Sequence, residues 1–241
     1  MELIKFDDVV VGTIVKRPSL QIKSPYVADV IVEETKFLAH CPSLGLGGLI
    51  EPDVKVLMTA STTKSKTDYV IQAVYSDNIW IGNVPLHANR IVKQLLGTNL
   101  IMDDIVSVKP EVTHGESRYD FQVQTKRGEM FCEVKSVHLN DNENKSTAIF
   151  PVGYKKPKQK TVSERANKHV TGLTEIAKNN CLAMIIFVIQ RDDCTSFQPN
   201  RKGDTVFSEL LDDAISSGVK VCIVYTSVIE SGIYLNNIKF L

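Results

Sequence analysis

Two apolar stretches joined by a short polar link constrain this chain more than anything else in it: SRYDFQVQT (117–125) and EMFCEVKSV (129–137). Both read as strands, and TKRGE between them, with its one glycine, suits a hairpin loop. Successive side chains of a strand leave on opposite faces, so Glu133 and Lys135 point one way. Val134 points the other way, into apolar packing. Asp120 reaches the same end of the hairpin from the partner strand. The pattern is D-x12-E-x-K, and it directs two carboxylates and one ammonium toward a single spot.

Those groups suit a divalent ion and a water activated against a phosphodiester. Mg²⁺ is a hard ion, held by one or two carboxylates together with waters and substrate phosphate oxygens. The ion lowers the pKa of a bound water and offsets charge on the phosphate. A lysine can position the attacking water and steady the developing negative charge. The same letters also have an ordinary reading. E-x-K arises by chance in most chains of this length, and alternating Glu and Lys on an exposed strand is usually solvated surface.

The surrounding text goes further. G-E-S-R-Y-D-F followed by C-E-V-K-S-V-H-L resembles the nuclease-like core of the sugar fermentation stimulation protein (SfsA) family, part of the wider PD-(D/E)xK superfamily of metal-dependent nucleases. FLAHCPSLGLGGLI (37–50) is similar to that family's H-C-P-N-T-G-R-M segment. NIWIGNVPLHANRIV resembles its W-V-G…N-x-L-V segment, and SERANKHVTGLTEI its E-R-G-x-K-H-x-x-E-L segment. GDTVFSELLDDAISSGVKV resembles its closing D-x-x-F…A-x-x-x-G-V stretch. The pieces occur in order over nearly the whole chain.

There are departures. Ser43, Leu44, Gly45 and Leu46 stand where the family has Asn-Thr-Gly-Arg, which removes an arginine suited to phosphate. Ala166 and Asn167 replace the usual Gly and its neighbour. Phe150 and Pro151 lead into Val152 and Gly153, without the family's acidic pair. The resemblance therefore implies a diverged member.

Composition sets the outer limits. The chain has 241 residues, 43% hydrophobic and 23% charged, as expected of a globular protein of one large or two modest domains. No apolar run approaches the ~20 residues of a membrane span, and the start MELIKFDDVV lacks the marks of a secretory signal. Five scattered cysteines without a C-x-x-C pair suggest free thiols in the cytoplasm or another reducing compartment. Cys132 and Cys222 lie in apolar strand text and read as core. Zero net charge argues against whole-molecule attraction to nucleic acid. The run YKKPKQKTVSERANKH is nevertheless locally basic. Lys155 and Lys156 there suit a basic arm on a phosphate backbone, or simply a solvated loop.

The chain divides by pattern. Residues 1–85 read as short β-branched strands with turns, compatible with a small barrel; the resemblance implies an OB-fold-like, nucleic-acid-binding domain there. Residues 86–241 mix strands and helices as an α/β layer, which the resemblance makes PD-(D/E)xK nuclease-like. Asn89, Arg90, Ile91, Val92, Leu95 and Leu96 form a stripe at helical spacing that stops at Gly97. Ser163 and Asp204 are candidate N-caps, and Gly218 a helix end.

Further site candidates follow. Glu111 corresponds to an acidic position of the family and could join Asp120 and Glu133 on the metal; it also suits a strand-end surface. Arg118 suits a phosphate contact. The resemblance implies a helix lining the cleft, with Arg165, Lys168 and His169 on it. Lys16 and Arg17 are candidate backbone contacts and equally ordinary surface residues. The five histidines have no zinc-like spacing. Two functions survive. One is an enzyme, a Mg²⁺- or Mn²⁺-dependent nuclease acting on DNA or RNA, with Asp120, Glu133 and Lys135 as its catalytic residues. The other is a DNA-binding regulator of sugar-metabolism genes without catalysis. Either has nucleic acid as partner and no membrane, and a homodimer would present two clefts to a duplex.

Overall fold

The computed structural model of the chain describes residues 1–44, 46, 48–62, 65–153 and 160–241. The first part carries strands β1 (Glu2–Lys5), β2 (Val10–Lys16), β3 (Val27–Val32), β4 (Thr35–His40), β5 (Lys55–Ala60), β6 (Tyr69–Ser76) and β7 (Ile79–Gly82). Then come α1 (Leu86–Leu96), β8 (Ile105–His114), β9 (Ser117–Thr125), β10 (Gly128–Val137) and β11 (Thr147–Phe150). The chain continues through α2 (Glu164–Lys178), β12 (Leu182–Gln190), β13 (Ser196–Pro199), α3 (Thr205–Ser216), β14 (Lys220–Ile229) and β15 (Gly232–Phe240).

Strands β4-β3-β2-β5-β6 pair in that order, and a short parallel pairing of β4 with β6 at Ala39↔Tyr69 closes them into a five-stranded barrel. Its interior is the alternating apolar set of these strands, including Ile14, Ala28, Val30, Val56, Met58 and Ile71. Gly12 permits a close approach there, since a Cβ would meet Met58 Cε at 2.6 Å. Strand β1 lies outside the barrel. It pairs with β15 at the far end of the chain, so residues 1–85 are not confined to one unit.

The sheet does not stop at the barrel. β7 pairs with β14 at Trp80↔Val228 and continues the order into β14-β12-β10-β9-β8. The central β10, β12 and β14 are parallel. β12 is LAMIIFVIQ, and Ile185 through Ile189 are fully buried. A parallel strand covered on both faces has no need of polar alternation. Helix α1 covers one face, packing Ile91, Val92 and Leu95 against Cys132, Val134 and Ile186. Helices α2 and α3 cover the other, packing Val170, Leu173 and Leu211 against Phe131, Ile185 and Ile223.

The caps are those the sequence offers. Ser163 Oγ accepts from Ala166 N at 3.2 Å, and Asp204 Oδ1 from Phe207 N at 3.0 Å. Gly97 follows α1, and Gly218, at φ +98°, follows the end of α3. Among the described residues, no helix is long and apolar enough to cross a membrane.

Candidate active site

The β9–β10 hairpin is regular at its turn and open at its far end. From Gly128↔Thr125 to Cys132↔Phe121 the two strands pair residue for residue. There the ladder stops, and a side chain takes over. Asp120 Oδ2 accepts from Val134 N at 2.7 Å, satisfying the amide that lost its strand partner. The other oxygen, Oδ1, accepts from Asn89 Nδ2 on α1 at 2.6 Å. Asp120 is thus fixed in the fork of the hairpin from both sides.

Glu133 and Lys135 leave β10 toward α2, while Val134 packs under α1. Lys135 Nζ donates to Glu133 Oε1 at 2.6 Å, and His169 Nδ1 of α2 donates to the same oxygen. Glu133 Oε2 is buried and has no hydrogen-bond partner among the described residues. A buried carboxylate oxygen left bare costs desolvation free energy. An ion would satisfy it, with Asp120 as the second carboxylate. Among the described residues no three His, Cys, Asp or Glu side chains converge as a metal cage. A two-carboxylate set suits an ion that keeps waters and takes further oxygens from its substrate.

The charges of the pair diverge. Burial pushes the Asp120 carboxyl up, and the Glu133 charge adds to this, against the bonds from Val134 and Asn89. Burial also pushes Glu133 up, but the His169 bond and then the Lys135 charge and bond outweigh it, leaving Glu133 below its ordinary value. The Glu133 charge makes Asp120 costlier to ionise, so a cation beside the pair would be favoured.

The profile of a family described as "Sugar fermentation stimulation protein RE domain" matches residues 86–232. A sugar fermentation stimulation protein homolog of Desulforamulus reducens is 36% identical over 186 residues, 76% of this chain and 73% of the relative. The chain belongs to the SfsA family. A homolog of Pelobacter propionicus is 30% identical over 92% of this chain and 91% of its own. The solved structure of Pyrococcus furiosus SfsA, described as in complex with Ca²⁺, matches with a TM-score of 0.83 at 21% identity. It covers 99% of this chain and 97% of that one, which shows the shared fold.

Within this SfsA chain the other candidates scatter. Glu111 sits on β8 at φ +55°, and its exposed carboxylate pairs with Arg118 instead of joining Asp120 and Glu133. Arg165 is exposed on the first turn of α2. Lys168 pairs with Glu116 at 3.5 Å. His169 lies beneath the site, 5% exposed, as the Glu133 partner. Lys16 is exposed at the end of β2. Arg17 ties loops together, donating to Pro25 O at 2.7 Å and Ser43 O at 3.2 Å. Lys155 and Lys156 fall outside the described residues. Sequence reasoning missed Asn89, the half-buried amide in α1 that holds Asp120.

Proposed function

We propose that this SfsA chain is a metal-dependent nuclease that hydrolyses phosphodiester bonds in DNA or RNA. The observation that carries this reading is the bare, buried Oε2 of Glu133, beside a fixed Asp120 and on the same carboxylate that Lys135 contacts. A purely structural Glu–Lys pair gains nothing from a second oxygen buried without a partner. The Ca²⁺ of the Pyrococcus furiosus relative supports a divalent ion in this family's fold.

Asp120 and Glu133 would hold Mg²⁺ or Mn²⁺, which when bound supplies an activated water and neutralises phosphate charge. Asn89 and the Val134 amide keep the Asp120 carboxylate from rotating away. His169 holds the Glu133 carboxylate in place from below. Lys135 places an N–H donor at the edge of the same carboxylate, where it steadies charge gathering on the phosphate oxygens. Glu133 is buried and Asp120 half-buried, which limits bulk water around them and lowers the effective dielectric in which these interactions act.

The test is incubation with single- and double-stranded DNA and RNA plus Mg²⁺ or Mn²⁺, for wild type, Glu133→Gln and Lys135→Ala. Glu133→Gln should lose about 10²–10³-fold or more of cleavage, the scale of removing one precisely placed electrostatic group. Binding without cleavage by wild type, or cleavage indifferent to both substitutions, would discard the nuclease and leave a nucleic-acid-binding regulator.

A further inference from the structure

Beside the open end of the hairpin lies a groove of about 720 Å³, between the β8–β9 turn and α2. That is within the range of about 300–1,000 Å³ that encloses a small molecule. Both of its walls run into the candidate active site. Tyr119 on one wall is followed directly by Asp120, and Lys168 on the other by His169, whose Nδ1 donates to Glu133. The groove therefore lies beside the site: the Tyr119 ring packs near the His169 ring with centroids 6.1 Å apart, and His169 holds Glu133.

Its lining selects the kind of occupant. The His114 ring packs on Phe131 with centroids 4.5 Å apart, which fixes an aromatic wall. Tyr119 packs against α2 where Gly172 makes room; a Cβ there would meet its hydroxyl at 2.2 Å. Ser117 and Thr171 add hydroxyls, and Glu175 an acceptor. Lys168 is already paired with Glu116. Two carboxylates against one lysine make a poor seat for a phosphate. The exposed His114 ring, the Thr171 hydroxyl and the Glu175 carboxylate suit the flat face and polar edge of a base with its sugar.

We propose that this groove takes one unpaired nucleotide flanking the scissile phosphate, so that the site acts on single-stranded nucleic acid. The assignment rests on the nuclease reading for where that phosphate lies. A base in the groove has left its stack and its partner. A duplex must supply that opening energy, and an unpaired strand need not.

Thr171 is exposed on α2 at the groove, so Thr171→Phe fills the space without touching the core. Fluorescein-labelled single strands and blunt duplexes of one sequence are titrated in EDTA and followed by anisotropy. Wild type is expected to bind the single strand about tenfold more tightly than the duplex, the scale of one stacked base, and Thr171→Phe to remove that preference. The thermal midpoint should stay put. His114→Ala, which removes the ring without adding bulk, should weaken single-strand binding in the same direction and guards against misfolding of the bulkier variant. With Mn²⁺, Thr171→Phe should raise KM for the single strand and leave kcat nearly unchanged.

Equal affinity for the two forms, or binding insensitive to both variants, overturns the groove even in a protein that cleaves. A single-strand preference abolished by Thr171→Phe in a protein that cuts nothing supports the groove and removes the nuclease.

Discussion

Two clusters of buried charge lie on or just past neighbouring parallel strands, and they are finished differently. Past the end of β12, Arg191 is 2% exposed and fully engaged. Its Nε and Nη2 each donate to Asp193 at 2.6 Å, and its Nη1 to His138 O at 3.1 Å. That is the two-pronged geometry in which a guanidinium binds a carboxylate most strongly. On β10, Glu133 is about as deeply buried, with one oxygen bonded twice and the other, among the described residues, not at all. Buried charge is ordinarily paired and hydrogen-bonded in full. A cluster that meets that demand holds the fold. One that falls short, as Glu133 does, carries a buried carboxylate oxygen that adds nothing to the fold.

The largest effect expected from this contrast is on stability. Arg191→Ala leaves a carboxylate without its partner and a hole behind the β12 end. Breaking a buried pair this way costs about 3–5 kcal/mol, and the low end applies because the Asp193 side chain is 24% exposed and can reach water. Urea unfolding measures it. Glu133→Gln should cost clearly less stability than Arg191→Ala while removing cleavage. If the two lose stability equally, the distinction between a holding cluster and a working one breaks.

The next effect sharpens the contrast inside the site, through pH. Asp120 binds its proton more tightly folded than unfolded, because burial and the Glu133 charge raise it. Ionising it therefore costs stability. The penalty is absent below the ordinary carboxylate value and grows as pH rises through the folded one. Glu133 has the opposite sign. Its lowered value gives stability that is present above the ordinary carboxylate value and lost as pH falls through the folded one. Asp120→Asn should thus raise the urea midpoint at neutral pH, and the gain should vanish on acidification. Glu133→Gln should lower it at neutral pH, and that loss should close on acidification. Midpoints are measured from about pH 3 to pH 8, on both sides of the ordinary carboxylate value. Shifts of the same sign for both variants would mean that the two carboxylates do not oppose each other as the geometry requires.

Much of this was legible in the letters, and the physics says which part. The hairpin, the shared face of Glu133 and Lys135 and the caps at Ser163 and Asp204 depend on local periodicity and local hydrogen bonds. Asp120 was placed near the right end, but not its role as the substitute partner of the Val134 amide, which needs the ladder to fail at one known pair. The sequence puts His169 on a cleft-lining helix as a nucleic-acid contact. Yet Ala166, His169, Val170 and Leu173 are all buried on α2, at the i, i+3, i+4, i+7 spacing of a core stripe. Phase alone would have turned that ring inward. Asn89 and the β1–β15 pairing were beyond reach. Which helix covers which face of a sheet, and which distant strand extends it, are settled by tertiary packing that no short window contains.

The smallest effect tests whether α2 serves the site as a rigid support. Ser163→Ala removes the hydroxyl that accepts from Ala166 N and leaves that donor to water. Loss of such a cap costs about 1 kcal/mol. The first turn, with Glu164 and Arg165, should fray. His169 lies a turn further on, between the buried Ala166 and Leu173, and should stay against Glu133. The urea midpoint should therefore fall slightly, with kcat altered by less than about twofold, since a lost cap acts within the first turn. A drop in kcat as large as that of Glu133→Gln would place the start of α2 within the working cluster itself.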